Sequence, residues 1–261
     1  MINKLNIKIL SKQFKFSKPY SHVIIDNFWS SIIAKKIAEE IKKFSLQGEH
    51  IYIYDNPIEK KVACNNYDKF PPTIYRAISF LNSNNFINIV KKITKKVDLT
   101  PDIGLHGGGI HIHPNSGKLN IHKDYSIHPK LGKQRLLNLI CYMTPNWNEN
   151  WGGHLELWSH NKKNNQPLNL EKKISNRFNR VILFDTTQNS WHGLPQELKM
   201  PKGVLRQSLA VYYLTTPKKG ASKRDRALYA PTKEQINNKK IIDLIKKRSS
   251  SSTSLKTYIY K

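Results

Sequence analysis

The sequence is poor in the residues that build disulfide-stabilised and membrane-spanning proteins. Its 261 residues include only two cysteines, Cys64 and Cys141, which lie far apart and in no CxxC arrangement. Neither a disulfide framework nor a cysteine-based zinc site is therefore indicated. No apolar run approaches the roughly 20 residues of a membrane-spanning helix, and the start MINKLNIKIL lacks a long apolar signal segment. These absences predict a soluble, cytoplasmic protein with no membrane partner.

Acidic residues are also scarce. The chain has 18 Asp and Glu against 44 Lys and Arg, which gives a formal net charge of +26. Such a charge is compatible with binding to nucleic acid or to another anionic surface. The excess is mostly lysine, however, and it is spread along amphipathic segments in a chain that is also rich in Asn and Ile. A compositional bias explains the charge as well, so nucleic acid is a partner to test but not the favoured one.

The chain changes character near residue 103. Before it, a predicted strand in Pro19–Trp29 leads into a helix capped at Ser30 or Ser31, and further amphipathic helices follow. From 103 to 216, short β-type runs alternate with turn signals such as PNSG and NENWGG, as in a sandwich or barrel. We therefore predict an N-terminal strand and supporting helices (1–102) in the same domain as a β core (103–216). A basic C-terminal extension (217–261) with a short helix and a Ser-rich tail follows.

Two of the β runs carry a polar face of unusual composition. Residues 135–144 (RLLNLICYMT) and 205–215 (LRQSLAVYYLT) each alternate between an apolar face and a mixed face. The mixed faces include Asn138 and Tyr142 in the first run and Arg206 in the second. Simple solvent exposure would favour Lys, Glu and Thr instead, so these faces are interpreted as the lining of a polar cavity.

The stretch LNIHKDYS raises the question of a metal site. Side chains two residues apart on a strand point the same way, so His122 and Asp124 project together. His192 lies just after another predicted strand, beside a turn at 193–195. Two imidazoles and one carboxylate on one side of a metal form the facial triad of non-haem Fe(II) enzymes, which leaves adjacent positions open.

The motifs HKD, LICYMTPNWNENWGGHLELW, WHGLP and RQSLAVYYLT follow one another in this order, and PYSHVIIDNFW precedes the first helix. In this ordered set the chain resembles the Fe(II)- and 2-oxoglutarate-dependent oxygenases, specifically their prolyl 4-hydroxylase-like branch. The resemblance implies a mainly β fold with flanking helices, in which N-terminal α-helices support a double-stranded β-helix (jelly roll) core. It also implies a dioxygenase (hydroxylase) that uses O2 and 2-oxoglutarate to hydroxylate a C–H bond and releases succinate and CO2, with ascorbate as a reductant.

The resemblance assigns roles to individual residues. His122, Asp124 and His192 would bind Fe(II), and Arg206 would hold the distal carboxylate of 2-oxoglutarate. Three further residues are expected to contact the cosubstrate. They are Ser208, a second donor on the same strand face as Arg206; Tyr142, where relatives carry a cosubstrate-contacting Tyr; and His113, which stands before Pro114 where relatives often have Tyr-Pro.

Several alternatives stay open at the level of sequence. Zinc also occupies sites of two His and one carboxylate, although no HExxH helix is present. His111 and His113 form a second metal-like pair, but no acid follows before Asp124 as a cupin site would require. A basic nucleic-acid-binding protein on a β-barrel scaffold, without oxygenase activity, explains the charge but not the triad together with Arg206.

The remaining site candidates and the substrate are less specified. Asp185 is interpreted as a turn or cap residue and Glu156 as a substrate contact, while His106, His128, His154 and His160 are expected to be structural or surface residues. A prolyl residue of a protein or peptide is the substrate that the resemblance implies. A small molecule or a nucleobase is the alternative. Substrate contacts are expected in 125–134 and in the basic stretch after 216.

Overall fold

Five α-helices and one curled sheet of thirteen strands form the fold of residues 1–44, 46–224 and 226–257, the part of the chain that the computed structural model describes. The helices are α1 (Ile7–Phe16), α2 (Ser31–Lys43), α3 (Pro72–Leu81), α4 (Asn84–Thr94) and α5 (Lys239–Arg248). The strands are β1 (His22–Ile25), β2 (Tyr52–Asn56), β3 (Glu59–Cys64), β4 (Thr100–Pro101), β5 (Gly109–His113), β6 (Lys118–Lys123), β7 (Gln134–Tyr142), β8 (Leu155–Asn161), β9 (Gln166–Ile174), β10 (Arg180–Asp185), β11 (Trp191–Leu194), β12 (Arg206–Thr215) and β13 (Leu228–Tyr229). Within these ranges no helix is both long and apolar enough to span a bilayer.

The strand order shows how the sheet curls into two layers. It runs β1-β10-β7-β12-β5-β3-β6-β11-β8-β9, with β2 on β3, β4 on β12 and β13 on β6, and the recorded pairs are antiparallel. Strand β3 pairs with β2 along one edge, and along its other edge it pairs with β6 at residues 59–60 and with β5 at residues 62–64, so it connects the two layers. This architecture is the predicted double-stranded β-helix with supporting helices, and the fold class is confirmed.

The two faces of the central strands separate the core into two parts. On one face, Leu139 and Leu209 pack in a large apolar cluster with helix residues such as Ile37 and Ile78. Because α2 buries residues at helical spacing, its apolar stripe covers this face of the sheet. The other face looks into the space between the two layers, where Tyr142 joins a smaller cluster with residues of β8, β9 and β10. Successive residues of the central strands thus point in turn to a face that packs on the helices and to a face that lines the interior.

Two elements before residue 103 are not predicted by the sequence patterns. Helix α1 begins after Asn6, whose side chain accepts a hydrogen bond from the backbone N–H of Ile9. The hairpin β2–β3 lies where only helices and loops are expected, and β3 becomes a central strand of the sheet. Its runs YIYDN and EKKVAC are short and rich in charge, so they lack the apolar alternation that identifies the later strands.

A buried ion cluster joins β3 to the C-terminal extension. The carboxylate of Glu59, which is 1% exposed, accepts hydrogen bonds from Arg248 (2.6 Å) and the Tyr229 hydroxyl (3.2 Å). Its other oxygen lies 3.0 Å from the Lys61 amine. Burial alone would raise the pKa of the Glu59 carboxyl, but Lys61 and Arg248 outweigh that effect and lower it from 4.5 to about 2. The basic extension is therefore packed against the β core.

The Glu59 cluster leads to a prediction about stability. Glu59→Gln should lower the free energy of unfolding at neutral pH by about 3–5 kcal/mol, because Arg248 stays buried without its counter-charge and the half-buried Lys61 also loses its partner. Since the folded-state pKa lies below the unfolded value, the carboxylate stabilises the fold above about pH 4.5 and this contribution is lost as the pH falls toward about 2. The difference between wild type and variant should therefore shrink at about pH 3.

Urea titrations at the two pH values test this, with Glu197→Gln as the control. Glu197 pairs with Lys118 at the surface, so its substitution should cost less than about 1 kcal/mol. A wild-type stability for Glu59→Gln at neutral pH would contradict the assignment.

Candidate active site

Two neighbouring strands bring the predicted metal ligands together. His122 on β6 and His192 on β11 are directly paired in the antiparallel ladder, and their ring centroids lie 4.4 Å apart. Asp124 follows the end of β6, and its two carboxylate oxygens each lie 3.8 Å from one of the Nε2 atoms, Oδ1 from His122 and Oδ2 from His192. Within the described ranges this is the one cluster of three His, Cys, Asp or Glu side chains whose ligand atoms, all within 4.8 Å of one another, could hold a metal ion.

Backbone carbonyls orient both imidazoles. Nδ1 of His122 is 2.9 Å from the carbonyl oxygen of Asn120, and Nδ1 of His192 is 2.9 Å from that of Ser190. Since a carbonyl oxygen only accepts, each Nδ1 carries a proton, and Nε2 is the ring nitrogen that faces Asp124. This is the arrangement that outer partners give to metal-binding histidines.

The protonation states also fit a divalent ion. Burial, assisted by the charge of His192, lowers the pKa of His122 to about 3. Burial raises the pKa of Asp124, but His192 and Arg135 outweigh it, and the carboxyl pKa is lowered overall. The Oδ2 atom of Asp124 is buried without a hydrogen-bond partner in the described structure. The two imidazoles and one incompletely satisfied carboxylate are the donors that a divalent transition metal requires.

Arg206 is a buried cation at the start of β12. Its side chain is held by a hydrogen bond from Nε to the carbonyl of Gly153 (3.1 Å), and the guanidinium lies 4.9 Å from the Tyr142 ring centre. Burial lowers the pKa of Arg206, and no acidic side chain of the described residues forms an ion pair with it. A buried charge without a counter-charge is costly, so this site favours an anionic ligand. Gly153 has a φ of +71°, and a Cβ there would approach Arg206 Cδ to 3.0 Å, so glycine is required.

The predicted cosubstrate contacts lie next to Arg206 on paired strands. Arg206 is opposite His113 on β5, and Ser208 is opposite Tyr142 on β7. Both ring nitrogens of His113 are buried and lack hydrogen-bond partners in the described part of the chain. Burial, followed by the charge of Arg206, lowers the pKa of His113 well below its ordinary value, so the ring is neutral. The four predicted residues share one interior surface, and their role in binding stays a prediction.

Sequence reasoning misses Arg135, which reaches the metal ligands from β7. Its Nη1 is 3.6 Å from Asp124 Oδ1, and its guanidinium lies between two aromatic rings, 3.4 Å from that of Tyr125 and 3.3 Å from that of Tyr212. Strict alternation places Arg135 on the apolar face. A bulge at Leu136, where two steps on β7 match one step on β12, moves it to the interior.

Two other acidic residues lie outside this cluster. Glu156, predicted as a substrate contact, accepts a hydrogen bond from Trp158 Nε1 (2.9 Å) on β8. Its neighbours Leu155 and Leu157 pack into the interior cluster, so Glu156 lies on the opposite, outer face of β8, and a substrate contact there stays a prediction. Asp185 accepts hydrogen bonds from Thr187 and pairs with Lys96 (3.1 Å), as a turn residue does.

The four histidines expected to be structural or surface residues each have a partner in the fold. Their partners are Tyr125 for His106, Asp102 for His128, Glu149 for His154 and Trp191 for His160. Each contact is made within the protein, as expected for structural or surface histidines.

Solved structures share this fold at low sequence identity. A prolyl hydroxylase from Trichoplax adhaerens, in complex with a hypoxia inducible factor oxygen degradation domain peptide fragment, matches with a TM-score of 0.54 and 17% identity over 80% of this chain and 89% of that one. A prolyl-4-hydroxylase from Pseudomonas putida matches with a TM-score of 0.53 and 11% identity over 81% and 100%. The epimerase SnoN in complex with Fe3+, alpha ketoglutarate and nogalamycin RO matches with 0.54 and 10% over 87% of each chain.

The sequence itself gives one further match. No curated protein matches the chain significantly. A profile of the 2OG-Fe(II) oxygenase superfamily matches residues 108–215, which carry every side chain predicted above to bind metal or cosubstrate. Residues 108–215 are therefore similar to the 2OG-Fe(II) oxygenase superfamily, and the rest of the chain lies outside this match.

Proposed function

We propose that this protein is an Fe(II)- and 2-oxoglutarate-dependent dioxygenase that hydroxylates a C–H bond and releases succinate and CO2. The observation that carries the proposal is the combination of His122, Asp124 and His192 in one buried cluster with Arg206 on the same interior surface. A metal site alone would also suit zinc, and a buried arginine alone would suit any anion. A metal site and a buried arginine on one surface together fit 2-oxoglutarate, a dicarboxylate that can bind the metal at one end and the arginine at the other.

The protein residues have separate tasks in this reaction. His122, Asp124 and His192 would hold Fe(II) on one side, and bound Fe(II) supplies the reductive activation of O2 that is coupled to decarboxylation of 2-oxoglutarate. Arg206 holds the distal carboxylate through its planar fork, and Ser208 donates a second hydrogen bond to it. These groups lie in the interior of the fold, where bulk water is excluded and each charge interaction is therefore stronger.

Tyr142 and His113 complete the cosubstrate surface in this proposal. The Tyr142 ring covers the Arg206 guanidinium, and burial raises the pKa of its hydroxyl, so the group remains a hydrogen-bond donor at neutral pH. His113 is neutral and has two unsatisfied ring nitrogens, so it can donate one hydrogen bond and accept another. Arg135 holds Asp124 from the side through the 3.6 Å contact and is a positioning residue.

A prolyl residue of a protein or peptide is the substrate class we propose first. The support is the fold shared with prolyl hydroxylases, one of them bound to a peptide. The shared fold with SnoN, solved with nogalamycin RO, supports a small-molecule substrate as the alternative.

A succinate-release assay with Fe(II), 2-oxoglutarate, O2 and ascorbate tests the substrate class. Proline-containing peptides should stimulate succinate release above the substrate-free rate, and the product should gain the mass of one oxygen atom. Free amino acids and nucleic acids serve as comparison panels. Stimulation by one of those panels alone would contradict the peptide assignment, while the absence of any 2-oxoglutarate turnover would contradict the proposed reaction.

Removal of one metal ligand should abolish tight Fe(II) binding. His122→Ala and His192→Ala each leave two ligands, which rarely hold a labile divalent ion. Anaerobic Fe(II) titration and succinate release measure the loss, and circular dichroism should show an unchanged fold. His154→Ala, which removes an exposed imidazole paired with Glu149, is the matched control and should bind Fe(II) like the wild type. Near wild-type turnover in either ligand variant would show that the triad is not the metal site.

Shortening the Arg206 fork should weaken cosubstrate binding selectively. Arg206→Lys keeps the charge but loses the bidentate geometry, so the apparent KM for 2-oxoglutarate should rise about tenfold or more, at least roughly 1.4 kcal/mol. Fe(II) affinity should hardly change. Arg180→Lys, at the surface ion pair with Asp26, is the control. An unchanged KM in Arg206→Lys would place the carboxylate site elsewhere, with His113 and Tyr142 the next residues to substitute.

A further inference from the structure

The C-terminal extension contributes a strand directly beside the metal-binding strand. We call residues 222–224 and 226–248 the C-terminal clamp; they lie outside the matched range 108–215. Within the clamp, β13 pairs with β6 so that Leu228 is opposite Lys123 and Tyr229 is opposite His122. The N–H of Ala230 then donates to the carbonyl of Ile121 (2.8 Å). Strand β6 is thus held between β11, which carries His192, and β13.

Tyr229 packs flat against one of the predicted metal ligands. Its ring is stacked on the His122 imidazole with a centroid distance of 5.2 Å and an interplanar angle of 26°. The side chain is 4% exposed, so the stack is removed from water. The Nδ1 hydrogen bond to Asn120 fixes rotation of the His122 ring at one edge, and the Tyr229 stack restricts it from one face.

The clamp also holds the backbone on both sides of His122. The side-chain amide of Asn120, whose carbonyl orients His122, donates to the Ala230 carbonyl (3.0 Å) and to Gln235 Oε1 (2.6 Å). On the other side, Arg224 Nε donates to the carbonyl of Asp124 (3.1 Å), and its Nη2 makes a second, short hydrogen bond to the same oxygen. Each of these contacts reaches a ligand or the residue that orients one.

The clamp is anchored at a distance from the metal ligands. The Tyr229 hydroxyl and Arg248 bind the buried Glu59, and Gln235 Nε2 donates to the Pro57 carbonyl (2.8 Å). Apolar packing among Ile58, Tyr229 and Ile245 fills the space between α5 and the β2–β3 turn. Tyr229 is therefore fixed at both ends of its side chain, the ring by His122 and the hydroxyl by Glu59.

From this geometry we infer that the C-terminal clamp is part of the metal centre and that Tyr229 is a positioning residue for His122. The inference rests on the proposed function, in which His122 binds Fe(II). When the His122 imidazole is already held in place, metal binding costs less conformational entropy. Residues that hold a metal ligand in this way change metal affinity by about 10–100-fold. The competing explanation is that the clamp only buries apolar surface and stabilises the fold.

Two substitutions at Tyr229 separate the ring from the hydroxyl. Tyr229→Phe keeps the stack and loses the hydrogen bond to Glu59, so thermal stability of the apo protein should fall while Fe(II) affinity stays near that of wild type. Tyr229→Leu keeps an apolar side chain and loses the flat ring, so the Kd for Fe(II) should rise about 10–100-fold. The absorption spectrum of the Co(II)-substituted protein should change in Tyr229→Leu, because it reports ligand geometry independently of turnover.

Tyr67→Leu is the matched control. Tyr67 also makes ring contacts and one hydroxyl hydrogen bond, from Asn82 (2.8 Å), but contacts no metal ligand. Arg224→Gln gives a second measurement if Tyr229→Leu does not fold, and it should also weaken Fe(II) binding, whereas Arg177→Gln at the surface should not.

The outcomes distinguish the inference from the proposed function. Wild-type Fe(II) affinity and Co(II) spectrum in Tyr229→Leu, or equal weakening by Tyr67→Leu or by Tyr229→Phe, would overturn the positioning role while the triad stands. Binding by His122→Ala as tight as that of wild type would overturn the proposed metal site itself. Absence of Fe(II) and Co(II) binding in the wild type would overturn both.

Discussion

The antiparallel register between β6 and β11 is the constraint on which the candidate site depends. It places His122 directly opposite His192, and the chain continues two residues beyond His122 to bring Asp124 to both Nε2 atoms. A slip of one residue would turn one imidazole to the other side of the sheet, because strand side chains alternate. The register is fixed from several directions, since β11 also pairs with β8 while β6 also pairs with β3 and β13. The geometry of three ligands is thus a property of the sheet as a whole.

The interior face is charged to a degree that an ordinary core does not tolerate. Arg206 has no ion-pair partner among the described acidic residues. Arg135 lies 3.6 Å from Asp124, which also faces the two histidines, and tyrosine rings cover both faces of its guanidinium. Buried charges cost several kcal/mol each unless they are compensated. Cation–π contacts and carbonyl hydrogen bonds supply part of that compensation, and an anionic ligand would supply more. The apolar cluster on the helix-supported face stabilises the fold and offsets this cost.

Period-two alternation predicts most of this site, because it is a local property of each strand. It separates the apolar faces of β7 and β12 from the interior faces, and it places His122 with Asp124 and Arg206 with Ser208. It fails at Arg135, where one bulged residue reverses the face. It also cannot identify Tyr229, which stacks on His122, or the clamp residues that bind Asn120, because these partners are more than 100 positions apart in the chain. Hairpin β2–β3 is missed for a related reason, since charged residues such as Lys60 and Lys61 hide the alternation of a strand whose place is set by long-range pairing.

The position of β13 in the chain determines the order in which the metal centre can be assembled during synthesis. His122, Asp124 and His192 are synthesised before residues 228–248, so until then part of one edge of β6 has no partner strand. Pairing between such distant segments is slow compared with local folding, because a long loop must close first. A nascent chain therefore lacks part of the support around its predicted metal ligands until the clamp has been made. Tight metal capture then becomes a late event in biogenesis, coupled to the docking of the clamp on β6.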